Sequence, residues 1–220
     1  MENQQAYDRG TTIFSPDGRL YQVEYAREAV GQGAPVVGVR GDDAVVLAAA
    51  PDGGSPLVET DSIEKLHRVD DHLAVGTAGH AADARRLVDI ARQTAQEERV
   101  RYEEPMPADA LATALADHVQ ERTQSRGARP YGTALLVAGD GDGPTLVEVD
   151  PSGATREWRA NALGNGAPNA QDYLEETYES GLDTGEAEKL AREALDAAAG
   201  DDHPTETVTV TATGATFAEQ

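Results

Sequence analysis

Short apolar runs broken by turn residues mark the first half of the chain. Residues 36–39 and 44–50 are two such runs around Gly41-Asp42-Asp43, the pattern of a β-hairpin with buried strands. Residues 51–56 form a loop of Gly, Pro and Ser. Residues 66–78 predict two more short strands about a turn at Val69-Asp70-Asp71-His72. At Gly79 the period changes. Ala81, Ala84, Leu87, Val88, Ala91 and Ala95 make the apolar stripe of a helix reaching about Val100, with Asp83, Arg85, Arg86 and Arg92 on its other face. Pro105-Met106-Pro107 interrupts the chain, Pro107 suiting a helix's first turn, and Leu111, Leu115 and Val119 set one face of a second helix. Strands are predicted again at 133–138, 145–149 and 155–158, and residues 160–163 are placed to close the sheet. Helices follow at 169–178 and 184–199, the last with Asp183 three residues before Glu186 and with Gly200 after its end. Residues 207–213 alternate as an edge-like strand, with Thr216-Phe217 as its partner. Ahead of the first strand, Leu20, Val23, Ala26 and Val30 recur at helical spacing after a turn at Ser15-Pro16-Asp17-Gly18, and Gly31 ends the helix.

Strands, two helices, strands, two helices, strands: grouped elements argue against a doubly wound parallel sheet. Two stacked antiparallel sheets with a helix layer outside each use every apolar face. The expected class is α+β, a four-layer αββα sandwich with an extra N-terminal helix. At 220 residues one domain is expected, divided into a tail and turn (1–17), the helix (18–31) and the layered core (33–220). No repeat of solenoid length is present.

Composition narrows the partners. The absence of cysteine excludes a disulfide framework and cysteine metal sites. The first ten residues lack the apolar core of a signal peptide, and no apolar run has membrane-spanning length, so a cytoplasmic protein is expected. A net charge of −22 repels nucleic acid and anionic lipid. Arginine takes sixteen of the eighteen basic positions, leaving two lysines, Lys65 and Lys189. An acidic, lysine-poor surface is expected of a halophilic archaeon, where salt screens the self-repulsion.

The stretch from Tyr7 to Val30 closely resembles the N-terminal signature of proteasome α subunits: Tyr7-Asp8-Arg9, then Phe14-Ser15-Pro16-Asp17-Gly18-Arg19-Leu20, then Gln22-Val23-Glu24-Tyr25-Ala26. The resemblance continues through Ser62-Ile63-Glu64-Lys65, the run from Ala78-Gly79 to Arg85, Arg129-Pro130-Tyr131-Gly132 and Asp150-Pro151-Ser152-Gly153. It implies the αββα architecture of the N-terminal-nucleophile hydrolases and a non-catalytic subunit of a seven-membered ring above proteolytic β subunits. The implied gate residues are Tyr7, Asp8, Arg9, Pro16 and Tyr25. Two phenols and a carboxylate can share hydrogen bonds while proline stiffens the turn. Lys65, retained where lysine has almost vanished, matches the pocket lysine that receives the C-terminal carboxylate of an activating ATPase ring, with Glu24, Gly79 and His80 beside it. Ser125-Arg126-Gly127 matches the loop that narrows the pore. Unfolded proteins are the implied substrates.

Catalytic chemistry is weak in the sequence. Gly10-Thr11-Thr12 looks like the cleavage site that exposes the catalytic threonine of β subunits, whose own amine can act as base. Here the pair lies far ahead of the first strand, which starts Gly33-Ala34-Pro35 without a hydroxyl. No Lys or Arg occurs from Gly41 to Glu64, where the partner lysine is expected. Asp140-Gly141-Asp142-Gly143 reads as a hairpin turn, since a calcium loop needs more oxygen ligands and its bidentate glutamate is missing. His67 and His72 read as part of a solvated turn, and His80, His118 and His203 are scattered. No catalytic residue, metal or cofactor is expected. Four departures from the family pattern remain: Gly31-Gln32 for a basic pair, Ala50-Pro51-Asp52-Gly53 at the end of the second strand, Ser125-Arg126-Gly127 without an aromatic and two glycines, and His80 at an often apolar position. They suggest a divergent regulatory paralogue working in mixed rings as an alternative to the ordinary gating subunit. A β-type threonine protease is the third reading.

Overall fold

Strands β1 (Val36–Arg40) and β2 (Ala44–Ala49) carry apolar residues at consecutive positions because both of their faces are covered. Along β2, Val45, Leu47 and Ala49 face one cluster of buried side chains, while Val46 and Ala48 face another. A computed structural model describes residues 14–219 of the chain except 52, 53, 56, 126, 142 and 202. The described strands form two five-stranded antiparallel sheets.

The first sheet runs in the order β10 (Gly214–Glu219), β9 (Glu206–Thr211), β2, β1, β8 (Ala160–Leu163). The second runs β3 (Leu66–Asp70), β4 (Leu73–Gly79), β5 (Thr133–Asp140), β6 (Pro144–Val149), β7 (Thr155–Glu157). Between them lies a core built from Val36, Val45 and Leu47 of one sheet and Ala74, Leu136 and Leu146 of the other. Helices α2 (Ala81–Tyr102) and α3 (Ala108–Gln124) cover the second sheet through Leu87, Leu111 and Leu115 against Leu73, Leu135 and Val137. Helices α4 (Ala167–Thr177) and α5 (Thr184–Ala199) cover the first through Leu174, Leu190 and Leu195 against Val37, Val39 and Val46. The four-layer αββα expectation holds, and the extra helix α1 (Tyr21–Gly31) buries Val23, Ala26 and Val30.

Several local expectations hold for stated reasons. The Asp183 side chain accepts from the Glu186 N–H and the Glu186 side chain accepts from the Asp183 N–H, a reciprocal cap at the start of α5. Asp140 pairs with Pro144 where β5 turns back into β6, the expected hairpin, with residue 142 outside the described residues. Others differ. Residues 160–163 do not extend the sheet of β7; β8 crosses over and pairs with β1, Val36 opposite Leu163. The strand expected at an edge, β9, lies between β2 and β10, and β10 is the edge. Asp83, placed on the polar face of its helix by spacing, is buried.

Candidate functional site

The β1 approach, the end of β4 and the start of β5 meet at three glycines. A Cβ on Gly33 would lie 2.2 Å from the Gly79 nitrogen, and a Cβ on Gly79 would lie 2.2 Å from the Gly132 oxygen. Gly79 also takes φ +111°, a conformation that disfavours any side chain. The His80 N–H then donates to the Gly132 carbonyl at 2.8 Å, and α2 begins. Above this junction opens a groove of about 620 Å³, walled by Gln32–Ala34, by the segment 62–65 and by the first turns of α2.

Lys65 and Gly79 line that groove. Lys65 sits at the foot of β3, its carbonyl accepting from the Thr77 N–H at 3.0 Å and its N–H donating to Glu206 Oε2 at 3.4 Å. Only 8% of the residue is exposed. Burial pushes its amine down to about 8, the Glu206 charge opposing. Among the described residues the ammonium has no ion-pair partner, although Glu64 and Asp89 also line the groove. Glu64 instead lies 3.6 Å from His67 Nδ1, and Asp89 lies 3.9 Å from Arg92.

His67 corrects the solvated-turn reading. It is buried on β3, its residue 8% exposed, and among the described residues its Nε2 has no hydrogen-bond partner. Burial pulls its pKa down to about 4, Glu64 opposing and the Arg92 and Lys65 charges assisting, so it is neutral near pH 7. His72 does lie in the β3–β4 turn, its Nε2 2.9 Å from the Met106 carbonyl. Among the described residues no group of three His, Asp or Glu side chains is placed to hold a metal ion.

The other pocket residues are near but engaged elsewhere. His80 is exposed at the N-cap of α2, its ring over Gly132. The Glu24 carboxylate accepts from Arg27 at 3.1 Å and does not line the groove. Of the gate set, Tyr7, Asp8 and Arg9 lie outside the described residues, as do Thr11 and Thr12. Pro16 is exposed in a turn closed by Gly18 N–H to the Ser15 carbonyl at 2.8 Å, and Tyr25 is 45% exposed on α1. Ser125 closes α3, its hydroxyl donating to the Glu121 carbonyl at 2.9 Å; Gly127 has φ +78°, and Arg126 lies outside the described residues.

Two buried carboxylates fix the frame around the groove, and helical spacing could not single them out. Asp83 accepts from both Arg129 Nη atoms and from the Gly132 N–H at 2.9 Å, so it ties α2 to the β5 approach. Burial would raise its carboxyl, but the Arg129 guanidinium and the Gly132 N–H hold it below the usual range. Asp150 accepts from the Ser152 and Ala154 N–H groups, from the Ser152 hydroxyl and from Arg27, whose Nη2 is 2.8 Å away. Burial opposes, yet Ser152 and Arg27 lower its pKa and so anchor α1 to the β6–β7 turn. Both acids occur in the quoted family motifs, which was the available signal.

The strand start offers no nucleophile: Gly33, Ala34 and Pro35 carry neither hydroxyl nor thiol. The window from 41 to 64 holds no lysine, and Lys65 lines the groove with Gly33 and Ala34. An amine without a partnered nucleophile suits anion capture.

Comparison with known proteins gives a consistent set. The chain matches the family model described as proteasome subunit over residues 30–213, and over residues 7–29 it matches the N-terminal signature of A-type proteasome subunits. It is 55% identical to proteasome subunit alpha 2 of Haloarcula marismortui, over 87% of this chain and 79% of the relative. It is 54% identical to proteasome subunit alpha of Halobacterium salinarum, over 89% and 78%. Proteasome subunit alpha 2 of Haloferax volcanii is also 54% identical, over 89% and 79%.

Proposed function

The chain belongs to the proteasome subunit family and carries its α-type N-terminal signature, and from that premise we propose that it is a non-catalytic α-ring subunit of a 20S core particle. In this reading it assembles with other α subunits into seven-membered rings on β subunits, in the cytoplasm of a halophilic archaeon. The tail and turn (1–17) with Tyr25 act as the gate, the segment 18–31 that contains α1 sets its position, and 33–220 is the wall. Tyr7, Asp8, Arg9 and Pro16 fix the open gate, Ser125-Arg126-Gly127 narrows the pore, and unfolded proteins pass to β subunits for hydrolysis.

The Lys65 groove receives the C-terminal carboxylate of an activating ATPase ring, with Gly79, His80 and Glu24 around it. One observation carries this: a nearly buried ammonium, unpaired among the described residues, lining a 620 Å³ groove. A desolvated cation with no carboxylate at salt-bridge distance among the described residues is a strong site for an incoming carboxylate. The test uses particles assembled with a β subunit in high salt, with peptide hydrolysis as the readout. A C-terminal ATPase peptide should stimulate hydrolysis, its C-terminal amide should not, and Lys65→Ala should abolish the response. Equal stimulation by acid and amide overturns the assignment.

The mixed-ring reading has its own support in Gly31-Gln32 and Ala50-Pro51, which border the first strand. Electron microscopy of the chain purified alone separates the two. Seven-membered rings favour the ordinary subunit, and persistent monomers favour an obligate α partner.

A further inference from the structure

The charges that line the Lys65 groove do not cancel. Glu64 lies 3.6 Å from the neutral His67 and Asp89 3.9 Å from Arg92, and among the described residues no carboxylate lies within salt-bridge distance of Lys65 or Arg85, although the Glu206 charge acts on Lys65. Arg92 is also occupied, its Nε donating to the Arg68 carbonyl at 2.9 Å. In a chain of net charge −22, the lining of this groove carries three cationic side chains, Lys65, Arg85 and Arg92, against two acidic ones, Glu64 and Asp89, with Lys65 buried and Arg85 exposed on α2.

The two lysines of the chain sit in opposite settings. Lys189 is 74% exposed on α5 with Glu193 3.8 Å away, an ordinary solvated pair. Lys65 is nearly buried and lines a groove large enough for a small ligand. We propose that Lys65 is an acylation site for small acyl phosphates, Arg85 drawing the phosphate group into the groove while the Lys65 amine meets the acyl carbon. The amine attacks that carbon, a C–N bond forms and the C–O bond to the phosphate breaks. Inorganic phosphate departs with the electron pair and takes the proton lost by the amine. The product is a neutral amide that can no longer hold a carboxylate. Acylation thus closes the groove to its docking partner, a consequence that rests on the docking reading above.

The chemistry favours the enclosed lysine. With its amine pushed down to about 8, Lys65 is roughly 10% unprotonated at pH 7, against about 0.04% for an ordinary lysine. A weaker base is also a weaker nucleophile, which returns about half of that advantage on a logarithmic scale and leaves a preference on the order of tenfold.

The experiment exposes the assembled particle to acetyl phosphate at pH 7 and follows acetylation of Lys65 and Lys189 by peptide-resolved mass spectrometry. Lys65 should react about tenfold faster than Lys189, and the preference should vanish in urea-unfolded chain. Arg85→Ala should slow Lys65 and leave Lys189 unchanged. Equal rates at the two lysines in the folded particle overturn the proposal, as does a preference that survives unfolding. The acetylated particle is then tested with the ATPase peptide. Loss of stimulation supports the regulatory consequence. Selective acetylation with undiminished stimulation overturns the docking reading while the acylation site stands.

Discussion

Replacing Lys65 by methionine should stabilise the fold while removing the proposed docking function. Methionine keeps an unbranched stem of similar reach and removes the charge. The magnitude follows from burial. The Lys65 amine falls from 10.5 to about 8, burial being the main cause and Glu206 opposing it. The folded chain therefore holds this proton less tightly than the unfolded chain does. The penalty of keeping the ammonium in the fold is fully present below about pH 8, and it is relieved as pH climbs towards 10.5. A shift of that size corresponds to on the order of 3 kcal/mol. That shift already includes the attraction of Glu206, and the variant leaves a slightly different shape, so a gain of about 1–3 kcal/mol at pH 7 is expected. Urea unfolding of parent and variant at one protein concentration in high salt measures it, at pH 7 and again at pH 10. At both pH values His67 stays neutral and drops out of the comparison. The gap should be wide at pH 7 and nearly closed at pH 10. A variant less stable than the parent at pH 7, or a gap that ignores pH, would show that the ammonium is stably paired in the fold and refute the reasoning.

Three further perturbations test the frame of the groove. Gly79→Ala places a Cβ 2.2 Å from the Gly132 oxygen at φ +111°, so a loss of about 3 kcal/mol or more is expected in thermal unfolding; a parental melting temperature would contradict the packing. Asp150→Ala strips Arg27 of its partner and the β6–β7 turn of its acceptor, which should cost about 2–4 kcal/mol by urea unfolding and speed proteolysis ahead of α1. Unchanged proteolysis would remove the tether. Acidification tests His67, whose folded value of about 4 lies below its ordinary 6.5. The unfolded chain gains a proton that the folded chain refuses, so stability is intact above about pH 6.5 and falls as pH drops towards 4. His67→Gln should remove on the order of 3 kcal/mol of the acid loss measured between pH 7 and pH 4.5, and an identical acid profile would place His67 in water after all.

The layers were legible because burial on both faces of a strand leaves a direct mark. Residues 44–49 are apolar without alternation, and each face of β2 meets its own core. Sheet assignment was less legible. Ala160–Leu163 reads as a short strand in any register, and only its pairing with β1 shows that the chain has changed sheets. Charged side chains divide more sharply. Helical spacing puts Asp83 among solvated arginines, yet a partner 46 residues away and an N–H at Gly132 draw it inward. His67 reads as a turn residue for the same reason: its neighbours along the chain, Glu64 and Arg68, are polar, while its burial is set by β4 and α2. Lys65 drew notice in another way, because it is one of two lysines among eighteen basic residues. Its burial turns that rarity into an energetic argument. A residue that destabilises its own fold at neutral pH, and that an apolar side chain could replace, is what the proposed docking role would require.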